Sequence, residues 1–374
     1  YTINGWGITD ADYAFFNISR DIELRFDGWH TKAIAAEPDT YEWWYFDIQS
    51  PDGTTITGTF ATTPTKGFVP RFGEPVASVN LSYSTGGPTR TEEITFPLDQ
   101  FIASEAVLDV QAGPVAMKGD LQTLRITGEI NGLAIDVTFE QEATPLRFGN
   151  GYVLVGSPER YRGWFNPFPQ ARATGAFTID GQEIQIDGAG YHDHNWGNMT
   201  AGEGTVGWLW AKADLGRYVA LAVRNQVRER FGGGINRMLW IYDLEDQQEL
   251  VRAFGTDEPS LHVTEGNFVR HPDPLHGEGY PSLTIYDYWS GDDRARVIFN
   301  DTGVLDGFVP YNQRDPQIQQ FLTENGTNGL YYTRRVSEVT LDLNLPSLGI
   351  TDSSTGGALH ELQESYFPQY IAPR

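Results

Sequence analysis

Apolar and polar residues alternate with a period of two over much of this chain. Turn signals recur roughly every 8–12 residues, the spacing of antiparallel β proteins rather than of parallel α/β sheets. Glu42-Trp43-Trp44-Tyr45-Phe46-Asp47-Ile48 predicts an aromatic-rich strand, followed by a turn at Ser50-Pro51-Asp52-Gly53 and a second strand from Thr54 to Thr62. Leu124–Ile130 and Leu133–Phe139 flank Asn131-Gly132, and Ala176–Ile179 and Glu183–Ile186 flank Asp180-Gly181. Both dipeptides suit the left-handed positions of a two-residue hairpin. Further along, Val206, Trp208, Trp210 and Lys212 share one strand face, and Asp214-Leu215-Gly216 turns into Tyr218–Val223. Met238–Tyr242 pairs with Glu249–Phe254, and Tyr331–Leu345 reads as one long strand or two short ones.

One helix stands out. It opens at Asp315 with Pro316 at the first helical position, runs through Ile318, Phe321 and Leu322, and stops at Asn325-Gly326. Residues 1–40 carry little periodicity and are expected to wrap the surface or add an edge strand. A break near residue 200 leaves two all-β halves, 1–200 and 201–374, each large enough to bury a core.

Two runs concentrate the chemistry. Tyr191-His192-Asp193-His194-Asn195-Trp196-Gly197 follows the slim Gly188-Ala189-Gly190. In a strand, Tyr191, Asp193 and Asn195 share one face, and His192, His194 and Trp196 the other. Three readings follow. Asp193 in an apolar pocket resists ionisation and could act as a general acid, oriented by Tyr191. His192 and His194 at i, i+2 could bind a metal, with a third ligand from His30, His262, His271, His276, His360 or a carboxylate. The same groups could form a satisfied hydrogen-bond network joining the two halves. The Tyr41 run divides in the same way, with Glu42, Trp44 and Phe46 opposite Trp43, Tyr45 and Asp47. It is either a bulky core strand or a cavity wall on which an indole face stabilises a developing cation. The pattern does not say which face points inward. Trp208 and Trp210 could line a second pocket or pack in a core. Trp164-Phe165-Asn166-Pro167-Phe168-Pro169 reads as a rigid loop, at the rim of a site.

Composition narrows the field. The chain holds 10 Trp and 18 Tyr, and its net charge of −24 repels phosphate backbones and anionic surfaces, so nucleic acid is excluded as a partner. No apolar run approaches about 18 residues, so no membrane span is expected. Cysteine is absent, which removes disulfides, thiolate nucleophiles and zinc–thiolate sites. There is no Gly-x-Ser-x-Gly elbow, and Gly232-Gly233-Gly234 lacks the residues of a phosphate cradle, so it reads as a bend and no cofactor is called for. Sequons at Asn17, Asn80, Asn198, Asn300 and Asn325 exceed the roughly two expected by chance. With a first residue other than Met, they predict a secreted or secretory-pathway glycoprotein.

Together, the Glu42–Asp47 and Gly190–Gly197 motifs resemble those of the carotenoid 1,2-hydratase (hydroxyneurosporene synthase) family, which includes fungal Diels–Alderases of secondary metabolism. The resemblance covers about residues 30–210 by motif. It implies two consecutive lipocalin-like β-barrel domains with the ligand site near their junction. It places the family's catalytic Tyr and Asp on Tyr191 and Asp193, with His30 and Trp164 as candidates for an accompanying His and Trp. His192 and His194 join the catalytic set, and Glu42, Trp43, Trp44, Tyr45, Trp196, Trp208 and Trp210 the substrate-binding set. The expected partner is a small hydrophobic polyene or terpenoid. The expected reaction is a (hetero-)Diels–Alder cyclisation, with acid-assisted dehydration to a quinone methide before it. Carotenoid-type hydration and non-catalytic carriage of a hydrophobic metabolite are the alternatives.

Overall fold

The computed structural model describes residues 4–63, 73–270, 279–308, 316–324 and 331–364. The chain divides into two compact units, Tyr1–Ala201 and Gly202–Arg374. Each is a curled antiparallel half-barrel sheet of lipocalin-like type.

The first unit contains strands β1 (Asn4–Trp6), β2 (Tyr41–Gln49), β3 (Thr55–Ala61), β4 (Val76–Ser84), β5 (Arg90–Pro97), β6 (Ile102–Ala103) and β7 (Asp109–Ala112). They are followed by β8 (Val115–Gly119), β9 (Thr123–Ile130), β10 (Leu133–Gln141), β11 (Tyr152–Val155), β12 (Ser157–Ile179) and β13 (Gln182–Gly197). Among the described residues the order across the sheet is β5-β4-β3-β2-β13-β12-β10-β9-β8-β7-β6, with β11 on β12 and β1 on β11. The predicted hairpins form. Asn131 and Asp180 sit at φ 48° and 47°, and Gly132 and Gly181 both at 86°. Curling carries β5 to these turns, where Arg90 reaches Asp180 at 2.7 Å.

Two sequence expectations need correction here. The Trp164–Pro169 segment is not a loop. It lies within β12, whose pairing with β13 shifts between Phe165 and Phe168 and again between Phe168 and Ala171. Pro167 and Pro169 have no N–H for a ladder, and bulges are where a sheet tolerates that. The amino-terminal stretch adds the expected edge strand, β1, but also a helix, α1 (Asp10–Phe15). A reciprocal cap starts α1: Asp12 N–H donates to Thr9 Oγ1 at 3.2 Å, and Thr9 N–H donates to Asp12 Oδ2 at 2.9 Å.

The second unit contains β14 (Thr205–Leu215), β15 (Tyr218–Val227), β16 (Ile235–Asp243), β17 (Gln248–Thr256), β18 (Leu261–Arg270), β19 (Gly279–Ser290), β20 (Asp293–Phe308), β21 (Tyr331–Leu345) and β22 (Ile350–Glu364), with a helix α2 (Pro316–Glu324). Its order among the described residues is β17-β16-β15-β14-β22-β21-β20-β19-β18. Tyr331–Leu345 is therefore one strand. Helix α2 begins at the expected proline; Asp315 and Asn325-Gly326 lie outside the described residues. Gly232, Gly233 and Gly234 form the expected bend, all with positive φ.

Strand alternation decides which side chains enter each core. In the first unit Trp44, Phe46, Ile48, Phe139 and Phe168 join the main apolar cluster. In the second, Ala211, Ala213, Leu239, Val297 and Leu341 do.

Candidate active site

Strand β13 lies between β2 and β12, and this places both sequence motifs side by side. Asp193 pairs with Tyr45, His194 with Trp44, Trp196 with Glu42, and on the other side Asn195 pairs with Trp164. Directly opposed residues share a sheet face, so the two faces can be assigned.

The face turned towards the first unit's core carries His192, His194 and Trp196 with Glu42, Trp44 and Phe46. The short 3-10 turn Leu24–Asp27 supplies Asp27 to it. His192 Nε2 lies 3.1 Å from Asp27 Oδ2, and its Nδ1 lies 2.7 Å from the Tyr45 carbonyl. Both nitrogens thus face acceptors, which suits an imidazolium. Burial opposes that charge, but the Asp27 carboxylate and the Tyr45 carbonyl outweigh it and hold His192 above the ordinary histidine value. His194 Nε2 lies 2.8 Å from Glu42 Oε1, and its Nδ1 lies 3.1 Å from the Phe26 carbonyl. Glu42 also accepts from the backbone N–H groups of His30 and Thr31 and from the Thr31 hydroxyl, at 2.6–2.7 Å. The His194 ring stacks on Trp44 at 4.3 Å, and His30 stacks on Trp196 at 3.9 Å. Gly163 makes room for that indole, since a Cβ there would lie 1.9 Å from the Trp196 ring.

The opposite face of β13 carries Tyr191, Asp193 and Asn195. Three donors converge on Asp193: Trp164 Nε1 to Oδ2 at 2.8 Å, Tyr191 Oη to Oδ2 at 2.8 Å, and Asn195 Nδ2 to Oδ1 at 2.9 Å. Tyr191 Oη also lies 2.5 Å from Asn166 Oδ1. A phenol has one proton and here two acceptors. When it donates to Asn166, its lone pair can accept a proton from Asp193; when it donates to Asp193, the carboxylate is the acceptor. The trio can therefore accommodate Asp193 either protonated or ionised without moving a heavy atom. Aromatic rings flank it. Trp43 and Tyr45 share this face, Tyr41 stacks on Trp43 at 4.9 Å, and Phe148 stacks on Trp164 at 5.8 Å.

The site residues named from sequence therefore separate into two sets. Tyr191 and Asp193 meet Trp164 and Tyr45, with Trp43 on the same sheet face. His192, His194, Glu42, Trp44 and Trp196 meet Asp27 and His30 on the other side of the sheet. The i, i+2 histidine pair spends its nitrogens on carboxylates and carbonyls, and the network it forms lies inside the first unit. His30 belongs to that network and not to the Asp193 cluster. Trp208 and Trp210 lie on β14 in the second unit, on the face opposite Ala211 and Ala213. His271 and His276 lie outside the described residues. Sequence reading missed Asn166 and Asp27. Asn166 was within reach, because it lies two residues from Trp164 and so shares its strand face. Asp27 sits in an aperiodic stretch that gave no signal.

Fold and site together define a protein built from two lipocalin-like half-barrel sheets, with a carboxyl–phenol–indole cluster on the first. Solved structures with the same fold include a protein from Nitrosomonas europaea designated AttH, at TM-score 0.64 and 14% identity, covering 93% of this chain and 98% of that one. CghA with Sch210972 superposes at TM-score 0.60 with 16% identity, covering 87% and 89%. Kievitone hydratase from Nectria haematococca does so at 0.54 with 14%, covering 98% of each chain. The quinolone epoxide rearrangement protein PenF of Penicillium thymicola is 32% identical over 81 residues, 21% of this chain and 22% of that protein's length. No family model matches the chain.

Proposed function

We propose that this chain is an enzyme of secondary metabolism that cyclises a hydrophobic polyene or terpenoid by a (hetero-)Diels–Alder reaction, with Asp193 as the acid that first dehydrates the precursor. The observation that carries this reading is the convergence of Trp164, Tyr191 and Asn195 on one carboxyl group. Protonated Asp193 gives its proton to a benzylic hydroxyl, the C–O bond breaks, and water leaves. The precursor's phenolic proton returns to the carboxylate, which restores the acid and yields a neutral quinone methide. Trp43, Tyr45 and Trp164 offer ring faces to the cationic stage. The cycloaddition then needs only orientation, worth up to about 7–11 kcal/mol when two partners are held in near-attack geometry.

The names of the relatives run in the same direction. A hydratase and an epoxide rearrangement protein both suggest chemistry begun by a proton at oxygen or at an alkene. The second reading, a hydro-lyase acting alone, uses the same Asp193 cluster and stops after water is added or lost.

Incubation with extracts of a producing strain that lacks the gene, followed by mass spectrometry, tests both readings. Asp193→Asn should retain the hydrophobic substrate and lose product by about 10²–10⁴-fold. Unchanged turnover would mean catalysis by shape alone, whereas a wild type that binds the substrate and gives no product would be a carrier. A product differing from substrate only by water and, by NMR, carrying no new ring would select the hydro-lyase.

Passage through the secretory pathway belongs to the same proposal. Asn17 and Asn300 are exposed, whereas Asn80 lies buried in the middle of β4. The Asn198 amide is engaged at both ends, by the backbone of Tyr161 and of Glu159. Glycans are expected on Asn17 and Asn300 and not on Asn80; peptide mapping before and after glycosidase treatment reads this directly. Among the described residues no helix is long and apolar enough to cross a membrane.

A further inference from the structure

On the core side of β13, behind Asp193, lies a charged pair that the proposed chemistry does not use. His192 is fully buried and held at both ring nitrogens. Nδ1 lies 2.7 Å from the Tyr45 carbonyl, and Nε2 lies 3.2 and 3.1 Å from the two Asp27 oxygens. Asp27 is fixed in turn, because its carbonyl accepts from the Trp44 indole at 3.1 Å. Tyr45 is the residue opposite Asp193 in the β2–β13 ladder, and its ring lies 6.2 Å from that of Tyr191. The imidazole thus meets the sheet at the ladder position of the acid, with its counter-ion at the other nitrogen.

This geometry gives the pair a direction. The positive end sits against the sheet, and the carboxylate end lies away from it in the Leu24–Asp27 turn. Asp193 is the next residue along the strand and projects from the other face, so the positive end is the nearer one. Attraction between the two is mutual. Asp193 is among the groups that hold His192 charged, and by the same interaction the imidazolium favours ionised Asp193. Both side chains are buried, so solvent screens them weakly.

The surrounding charges are named residues that need not change. His194 Nδ1 lies 3.5 Å from Asp27 Oδ1, while its Nε2 is committed to Glu42 at 2.8 Å. Burial pushes His30 down to about 4, so it is neutral near pH 7. From β12 the Phe168 ring approaches His192 at 6.2 Å and adds no charge. On the Asp193 side, Asp47 stands opposite Tyr191 on β2, and Arg162 pairs with Gly197 from β12. These groups set where the acid titrates, but they cancel when the same protein is compared with and without the pair.

We propose that His192, paired with Asp27, is a positioning residue that acts through Asp193 from the opposite face of the sheet and sets the pH range over which that carboxyl delivers its proton. The inference rests on Asp193 as the acid of the proposed reaction. With the pair charged, Asp193 releases its proton more readily; without it, the proton is retained to higher pH.

Asp27→Asn combined with His192→Gln replaces the ion pair by two neutral amides and strands no charge. Carbon-13 NMR of the full chain, labelled at the aspartate carboxyls, follows Asp193 without any substrate; its signal is assigned by its absence from Asp193→Asn. The Asp193 midpoint should rise by about half to one pH unit in the double variant. His192→Gln alone should move it in the same direction and stands in if the double variant does not fold. In the extract assay, the fall in product formation at high pH should move by the same amount. A merely structural pair would lower the rate at every pH and leave the midpoint in place, and an unmoved midpoint overturns the proposal. Turnover retained by Asp193→Asn overturns the acid reading instead, whatever the titration shows.

Discussion

The Trp164 indole nitrogen and Asp193 Oδ2 lie 2.8 Å apart, joined by a hydrogen bond that crosses from β12 to β13. Bulges carry β12 past β13 at this point, so the contact depends on local register as well as on the two side chains. Trp164→Phe keeps a ring against Phe148 and deletes the N–H. A hydrogen bond to a charged group contributes about 1.5–3 kcal/mol, so the rate should fall about 10–100-fold. Single-turnover kinetics with substrate binding measured in parallel separates that loss from weaker binding; an equal fall in affinity alone would make Trp164 only a wall.

Asp27 and His192 form a buried ion pair within the first unit. Asp27→Asn should destabilise the protein by about 3–5 kcal/mol, because it strands His192 without its counter-charge. The pH dependence has a definite sign. His192 is held above its unfolded value of about 6.5, so its stabilisation is complete below that pH and disappears as the pH rises through the higher folded value. Melting curves of wild type and variant should converge as the pH is raised from 6 to 10. A gap independent of pH would show that the pair is not charged.

His360 in the second unit works in the opposite direction. Burial, with Arg335 adding to it, pushes the imidazole down to about 4. Its neutral form is stabilising above about pH 6.5 and that contribution is lost as the pH falls to about 4, a span of about 3 kcal/mol. His360→Asn keeps a donor for Asp301 and has nothing to titrate. Its unfolding free energy should decline less steeply than wild type between pH 6.5 and 4, as denaturant titrations at each pH would reveal.

Gly163 is a packing requirement of the Trp196 indole. Gly163→Ala places a methyl inside that ring's space and should cost about 1–3 kcal/mol, lowering Tm by about 2–4 °C per kcal/mol. Adding Trp196→Phe should recover part of the loss. Full tolerance of the alanine would mean that the indole lies elsewhere.

Much of this protein is set by local sequence. Period-two alternation and the Asn131-Gly132 and Asp180-Gly181 turns fix β9–β10 and the β12–β13 hairpin, because left-handed turn positions and strand alternation are properties of neighbouring residues. The pairing of Tyr191, Asp193 and Asn195 on one strand face follows from the same local rule. Tertiary structure decided what alternation leaves open. A strand of period two has two faces, and only packing against Phe101 and Phe168 shows that Trp44 and His192 point into the core while Tyr45 and Asp193 do not. The partners of those faces came from far along the chain. Asp27 meets His192 from 165 residues away, and Trp164 meets Asp193 from 29 residues away. No local pattern encodes such contacts, because they arise only when the sheet curls and brings separate strands into register.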